Sequence, residues 1–370
     1  MLKLARHRVL GWMAAAMLLA GCQYDSIVNE FREESGHSDS LTISFGNGVI
    51  DNPIRTRSVN LLSQYTNTMG VWGWQTTLGN EVVCLFNNTD VTYSPGTQWT
   101  YSPARYWEKG SSYRFYAYAP HGSTVPQSTV SINEQTGRFT IQNVILNGCN
   151  TMSNAAKPSP SGTFINVDDV DWMIDREGKT VTEDKIYTLV TFNMQHLLAK
   201  FNVIVKTSGA LSTPGKTVVI DSLSVGDFVS KGSFTQLLDH SPVAGVAADS
   251  VNEWTIDTAS PRYTLQGTRG AVVNGSGCCV IESLLLPQDV TAQQQVSISY
   301  TIRTKGGHVE HFKHQFMLND AFNDSFRCAT NNTLTITIDP VVITFDSNST
   351  QWKNEYDEAI NVDEDSAQTD

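Results

Sequence analysis

The sequence predicts an all-β protein built from two tandem β-sandwich domains. Two observations support this prediction: apolar residues alternate with polar ones through most of the chain, and clusters of turn-forming residues separate the alternating stretches. A period of two places every second side chain on the same face of a strand, as a half-buried sheet requires. Sustained helical periodicity is scarce, so we expect only short helices. The length of 370 residues fits two domains of ordinary size.

The N-terminus carries an export signal. Three basic residues precede a short apolar run that ends in Leu19-Ala20-Gly21-Cys22. A basic start, an apolar stretch and small residues before a cleavage site are typical of a secretory signal. The cysteine resembles that of the bacterial lipobox, which implies cleavage before Cys22 and an acyl chain, palmitate included, on its thiol. We predict a signal peptide over residues 1–21 and a linker over 22–40; an ordinary signal with a chance cysteine is the alternative.

Charge and hydrophobicity limit the partners of the exported chain. The formal net charge is −12, which argues against binding to nucleic acid and against adsorption on anionic lipid. After the signal, no apolar run reaches the roughly 18 residues of a transmembrane helix. The lipid on Cys22 is therefore the predicted contact with the outer membrane.

A change of composition between residues 150 and 190 marks the predicted domain junction. Lys157-Pro158-Ser159-Pro160 is irregular, and a polar, charged stretch follows before the alternation restarts at Tyr187. We place the first sandwich over residues 41–185 and the second over 186–352. Residues 353–370 are rich in Asp and Glu and poor in large apolar residues, which predicts a disordered tail.

Enzymatic and metal-binding functions find little support. The chain contains neither a Gly-x-Ser-x-Gly elbow, nor a phosphate-binding loop, nor a His-Glu-x-x-His helix. His308, Glu310 and His314 would share a strand face and could form a metal site, but a solvated strand explains them equally well. We interpret Cys278 and Cys279 as small apolar core residues. We therefore predict no enzyme, no metal and no cofactor.

The tryptophans and one histidine have a structural interpretation and a functional alternative. Trp72, Trp74, Trp99 and Trp107 are interpreted as core and rim aromatics, because such side chains bury large areas in sheets. A carbohydrate-binding platform is the alternative. His196 lies in an apolar stretch and is interpreted as a hydrogen-bonded structural residue.

Aromatic and apolar motifs recur in a fixed order between residues 40 and 352. They are Val71-Trp72-Gly73-Trp74, Tyr113-Arg114-Phe115-Tyr116-Ala117-Tyr118-Ala119-Pro120, the run from Val190 to Lys200, Leu284-Leu285-Leu286-Pro287-Gln288, and the closing run from Thr333 to Trp352. Behind a lipobox, this order resembles the fimbrillin family of Bacteroidales surface lipoproteins, the FimA-like and Mfa-like pilins. One departure is the spacing before His196, which is a residue longer than in the family.

The resemblance implies a fold and a maturation step. It implies transthyretin-like Greek-key sandwiches, and cleavage of the precursor by an arginine-specific protease that displaces the first strand. By this analogy Arg57 is the first choice for the cut and Arg55 the second; two solvated loop arginines are the alternative. The displaced strand would carry Leu41, Ile43 and Phe45.

The other end of the chain supplies a predicted donor strand. Two alternating stretches flank Pro340, which breaks a strand and permits a hinge. Their apolar residues are Leu334, Ile336, Ile338, Val341, Ile343 and Phe345. These strands could complete the sheet of a neighbouring subunit, or they could simply be the last strands of their own sandwich.

The sequence thus predicts a structural or accessory/tip subunit of a surface pilus, matured by proteolysis and assembled by donor-strand exchange. Predicted partners are other pilus subunits in head-to-tail contact, the maturation protease, the outer membrane through the lipid, and a host or bacterial surface receptor. The predicted locations are the outer membrane and the fimbrium. The alternative is a lipid-anchored adhesin or glycan-binding protein that does not polymerise.

Overall fold

The computed structural model describes eleven stretches of the chain. They are residues 42–50, 61–95, 98–122, 129–133, 138–148, 169–175, 179–212, 214–237, 253–322, 325–339 and 343–351. Outside them lie Cys22, Leu41, Arg55, Arg57 and Val341, together with the predicted signal peptide, linker and acidic tail. Those sequence predictions stay predictions.

Strands dominate the described residues, which confirms the all-β prediction. The strands of the first half are β1 (Ser44–Phe45), β2 (Val49–Ile50), β3 (Thr68–Thr76), β4 (Val82–Tyr93), β5 (Trp99–Thr100), β6 (Ser112–Ala119), β7 (Thr129–Asn133), β8 (Arg138–Ile145), β9 (Met173–Ile174), β10 (Lys179–Val181), β11 (Leu189–Val190) and β12 (Asn193–His196). Short 3-10 helices occupy Leu62–Gln64, Glu183–Lys185 and Leu318–Asp320. Among the described residues, no helix has the length and hydrophobicity needed to cross a bilayer.

The second half continues in the same way. Its strands are β13 (Ala199–Thr207), β14 (Lys216–Val229), β15 (Lys231–Leu237), β16 (Glu253–Ile256), β17 (Arg262–Gln266), β18 (Val272–Val273), β19 (Cys278–Leu285), β20 (Gln295–Thr304), β21 (Val309–Met317), β22 (Thr330–Ile338) and β23 (Ile343–Gln351). Most follow the alternation visible in the sequence, since inward residues of β22, for example, are buried and outward ones are not.

The first sheet curls until its two ends meet. Its order is β11-β1-β5-β4-β3-β6-β9-β12-β2, with β10 beside β6. β1 and β2 belong to one short run of chain, as do β11 and β12, and β1 pairs with β11 while β2 pairs with β12. The two ends of the strand order are therefore formed by the same two segments, one that carries β1 and β2 and one that carries β11 and β12. The curled sheet encloses an apolar core that includes Phe45, Phe86, Phe115 and Phe192.

Both faces of β3 and β6 are apolar because both are covered. Val71 and Phe115 point into the curled sheet, whereas Trp72 and Tyr116 point outward into a second apolar core. A strand buried on two faces has a continuous apolar sequence in place of an alternating one. This explains the aromatic runs of the first half.

A four-stranded sheet covers that outward face and joins the two halves of the chain. Its order is β16-β15-β8-β7, so that β8 from the first half pairs with β15 from the second. Its residues Phe139 and Phe234 pack in the same core as Leu197 and Leu284. The predicted domain boundary at residues 185 and 186 stays a prediction, but a sheet with two strands from each side spans it.

The remaining two sheets face each other in the second half. Their orders are β19-β13-β22-β23 and β17-β14-β20-β21, with β18 beside β14. Phe201, Ile336 and Tyr300 are among the residues buried between them. A buried ion pair lies on β13 and β19, where Nζ of Lys200 is 2.5 Å from Oε1 of Glu282.

Three aspartates fix the segment 169–175 to its neighbours. Asp169 accepts hydrogen bonds from the N–H groups of Asn147 and Gly148 at 2.7 and 3.0 Å, Asp171 lies 2.9 Å from Nδ1 of His196, and Asp175 accepts from the N–H of Asn193 at 3.0 Å. His196 is fully buried, in agreement with its interpretation as a hydrogen-bonded structural residue.

Candidate functional site

The run of residues 42–50 completes the first sheet. β1 pairs in parallel with β11 and antiparallel with β5, and β2 pairs in parallel with β12. The run lies between β5 on one side and the segment of β11 and β12 on the other. Removal of residues 42–50 would therefore open the sheet along a groove, which we call the first-strand groove.

Buried apolar side chains hold the run in this groove. Ile43 and Phe45 have no exposed surface, and Ile50 is almost as buried. Ile43 and Phe45 both point inward, and the run forms two short strands in place of one continuous strand, while the displacement of this strand stays a prediction. Residues 46–48 interrupt it.

The ring of Phe45 lies at the centre of the groove. Its centroid lies 5.4 Å from that of Phe86, 5.5 Å from Tyr101, 6.0 Å from Phe115 and 5.8 Å from Phe192. Three of these contacts are edge-to-face, the geometry that aromatic pairs favour. Four aromatic neighbours make this position the largest single source of apolar burial in the run.

Two glycines let the run approach the groove walls closely. A Cβ built on Gly46 would lie 2.6 Å from Cδ2 of Leu189 and 2.7 Å from Oγ1 of Thr191. A Cβ on Gly48 would lie 3.2 Å from the carbonyl oxygen of Phe192. The groove therefore has no room for a side chain at Gly46 unless Leu189 and Thr191 shift, and little room at Gly48.

Hydrogen bonds fix the path of the run. The Ile43 N–H donates to the carbonyl of Arg105 at 2.8 Å, the Gly46 N–H to that of Val190 at 2.8 Å, and the Leu62 N–H to that of Gly48 at 2.7 Å. Nδ2 of Asn47 donates to Oγ of Ser63 at 2.6 Å, and Oδ1 of Asn47 accepts from the Ser63 N–H at 3.1 Å.

Tyr101 ties the groove floor to the run. Its hydroxyl donates to the carbonyl of Ile43 at 2.7 Å. Burial raises the pKa of Tyr101 to about 12, because the phenolate would lose hydration there. The hydroxyl therefore remains a donor across the physiological range of pH.

Five of the six predicted donor residues lie in the last two strands, and Val341 lies outside the described residues. Leu334, Ile336 and Ile338 are fully buried in β22, which lies between β13 and β23. Among the described strands β23 lies at a sheet edge and pairs with β22 alone, and its Ile343 and Phe345 are half-buried. The ring of Phe345 stacks on that of Phe316 with centroids 4.4 Å apart.

The other sequence candidates are not assembled into a ligand site. All four of Trp72, Trp74, Trp99 and Trp107 are buried, so they offer no carbohydrate platform. On β21 and the turn before it, His308 contacts Glu310 at 3.2 Å, but His314 stacks on Tyr300. In the described part of the chain, no group of three His, Cys, Asp or Glu side chains could hold a metal ion.

Sequence reasoning missed the residues that line or clamp the groove. No motif assigns a groove role to Asn47, Tyr101, Leu62 or Thr191, although Thr191 lies within the motif from Val190 to Lys200. Their roles depend on contacts between distant parts of the chain. The one available signal is Gly46-Asn47-Gly48 directly after an alternating strand, since glycines there suggest close backbone approach.

The described part of the chain thus forms a protein of four β-sheets whose residues 42–50 fill a groove in the first of them. The sequence profile of the family described as Fimbrillin-like matches residues 56–352. The chain belongs to this fimbrillin-like family.

Several solved structures are similar to this chain. A fimbrial protein from Bacteroides vulgatus is 16% identical, with a TM-score of 0.54, over 85% of this chain and all of its own. A candidate cell adhesion protein from Bacteroides uniformis is 17% identical, with a TM-score of 0.44, over 85% of this chain and 99% of its own. The fimbrial anchor protein Mfa2 from Porphyromonas gingivalis is 10% identical, with a TM-score of 0.29, over 84% and 96%. No curated protein sequence matches the chain.

Proposed function

We propose that this protein is a subunit of a surface fimbria that accepts and donates β-strands. The precursor reaches the outer membrane as a lipoprotein on Cys22, and a protease cuts it after Arg57 or Arg55. The run of residues 42–50 then leaves, and a strand of a neighbouring subunit takes its place.

The observation that carries the proposal is the position of the first strand relative to the arginines. Ile43, Phe45 and Ile50 fill a groove in the sheet, and Arg55 and Arg57 follow within a few residues of the last of them. A cut there separates the groove filler from the groove without dividing any other strand that the structure describes. Exposed loops are the usual sites of such cuts.

An emptied groove would bind a replacement strand strongly. Loss of the run leaves unpaired backbone groups on β5, β11 and β12 and exposes the aromatic core. Each large apolar side chain returned to it contributes roughly 1.5–3 kcal/mol, before the cost of ordering the strand is subtracted. Strand addition of this kind is a general mode of protein association.

The last strand supports a role as donor. β23 lies at a sheet edge and has β22 as its one partner among the strands that the structure describes, so it can separate without dividing that sheet. Its sequence also resembles that of the first strand: Val341, Ile343 and Phe345 repeat the spacing of Leu41, Ile43 and Phe45. Alternate large apolar residues are the pattern that an apolar groove in a neighbouring subunit would bind. Head-to-tail contacts of this kind give filaments when they do not close.

Cleavage tests the proposal. Purified precursor treated with an arginine-specific protease is expected to be cut once, after Arg57 or Arg55. Once the N-terminal fragment has been removed in mild denaturant, the remaining chain should bind a synthetic peptide of residues 41–51. The double variant Arg55→Ala/Arg57→Ala is the control, and it should stay uncut and bind no peptide.

The same proposal can be tested in cells by comparing the mass and cleavage state of the chain at the cell surface with those of the double variant. The cut form is expected in SDS-resistant species of high mass, and the double variant is not. A chain that remains uncut and monomeric in the surface fraction would contradict the proposal.

A further inference from the structure

The walls of the first-strand groove restrict which strand can enter it. Leu189, Thr191 and Leu62 all follow the proposed cut, so they remain in the mature chain and keep lining the groove. Gly46 and Gly48 are buried against them. A replacement strand on the same path therefore meets the same walls.

The two glycine positions differ in how much they can adapt. Beside Gly46 the obstacles are two side chains, that of Leu189, which is half exposed and can rotate outward, and that of Thr191, which is partly exposed. Beside Gly48 the obstacles are the backbone carbonyl of Phe192 and the fully buried Leu62, with Cβ of Leu62 at 3.4 Å. The second position is therefore the stricter one.

The last strand of this chain does not meet these restrictions. With Ile343 and Phe345 in the places of Ile43 and Phe45, Asp346 falls at Gly46 and Asn348 at Gly48. A carboxylate at the buried first position loses hydration, and an amide side chain at the second places its Cβ 3.2 Å from the carbonyl oxygen of Phe192, so the backbone must shift by a few tenths of an ångström. No glycine or alanine occurs from Thr330 to Gln351, so no other register supplies one.

We propose that the first-strand groove accepts a strand from a different subunit, with small residues at the positions of Gly46 and Gly48, and rejects the last strand of another copy of this chain. The inference rests on the proposed function. It defines the partner by chemistry: two large apolar residues spaced by one, followed by a small residue, any residue and glycine. The joint at the first-strand groove is then formed by two different kinds of subunit.

Peptide binding to the cut chain, freed of its N-terminal fragment, tests the inference. The probes are a labelled peptide of residues 41–51, a peptide of residues 341–351, and the latter with glycine replacing Asp346 and Asn348. The 341–351 peptide is expected to bind at least about tenfold more weakly than the 41–51 peptide, and the two glycines should recover most of this loss.

The outcomes separate the two proposals. Equal binding of the 41–51 and 341–351 peptides, or no gain from the glycines, overturns this inference and leaves the proposed function intact. Failure of the 41–51 peptide to bind overturns the proposed function and this inference with it.

Substitutions in the intact chain give a second test that needs no cleavage. Gly48→Asn and Ser44→Thr each copy the corresponding residue of β23 into the first strand. Gly48→Asn is expected to lower the melting temperature and Ser44→Thr to leave it unchanged. If the Gly48→Asn variant has the same melting temperature as the unaltered protein, the inference is overturned.

Discussion

The first and last strands of this chain are held in opposite ways. Residues 42–50 make few backbone pairs but bury Ile43, Phe45 and Ile50 almost completely. β23 pairs with β22 over all nine of its residues, yet buries its side chains only in part. Side-chain burial leaves an apolar vacancy when the strand is removed, whereas edge pairing leaves a sheet that is merely one strand shorter. The first arrangement suits an acceptor site and the second suits a donor.

The largest test of this difference is Phe45→Ala. Truncation of a fully buried phenylalanine removes its transfer free energy and leaves a cavity among four rings, which should lower the free energy of unfolding by about 3–5 kcal/mol. Urea denaturation of the uncut chain measures the change, provided that the m-value is unaltered. A loss below about 1 kcal/mol would contradict the view that burial holds the first strand.

Phe345→Ala is the matched change in the last strand. Its ring is half-buried and has Phe316 as its stacking partner, so the expected loss is only about 1–2 kcal/mol. The same denaturation experiment applies. A loss equal to that of Phe45→Ala would remove the distinction between the two strands.

Asn47→Ala should lower the free energy of unfolding by about 1 kcal/mol, because the hydrogen bonds between Asn47 and Ser63 are lost. It tests whether side-chain hydrogen bonds add to burial in holding the first strand. Ser44→Thr serves as the control, since Ser44 lies on the same run without these contacts. A neutral Asn47→Ala variant would show that burial alone fixes the path of the run.

The pH dependence of stability isolates one more contact of the groove. Burial raises the pKa of Tyr101 from 10.0 to about 12. The contribution of Tyr101 to the free energy of unfolding is therefore complete below pH 10 and is lost as the pH rises toward 12. Tyr101→Phe should lower the free energy of unfolding by about 1 kcal/mol at neutral pH. The difference in unfolding free energy between the variant and the unaltered chain should shrink between about pH 10 and 12. A difference that does not change with pH would contradict the role of the hydroxyl.

Hydrogen exchange gives the smallest but most local comparison. The amides of Ile43 and Gly46 donate within the sheet and should exchange slowly. Those near the end of β23, at Thr350 and Gln351, should exchange faster because the strand lies at an edge and is exposed there. Equal protection would weaken the assignment of β23 as the more easily released strand.

Local patterns were sufficient to predict the strands themselves. Leu334, Ile336 and Ile338 alternate with threonines in the sequence and are buried in the structure, and Ile43 and Phe45 behave in the same way. The aromatic runs were correctly interpreted as core, because large rings in strands require burial.

The partners of each strand could not be predicted in this way. The pairing of β8 with β15 joins residues about 90 positions apart in the chain, and no periodicity specifies which strand lies beside which. The groove walls at Leu189 and Leu62 escaped notice for the same reason. Their contacts with Gly46 and Gly48 exist only once distant segments have been brought together.

The sheet shared by both halves acquires a mechanical meaning in a fibre assembled as proposed. One joint engages the first-strand groove and the other engages β23, so tension on the subunit enters one half and leaves through the other. The backbone that joins β12 to β13 carries that load directly, and the β8 and β15 pairing with the aromatic core beneath it keeps the two halves packed against each other. The covalent link and the shared sheet therefore bear the load together, in addition to the joints.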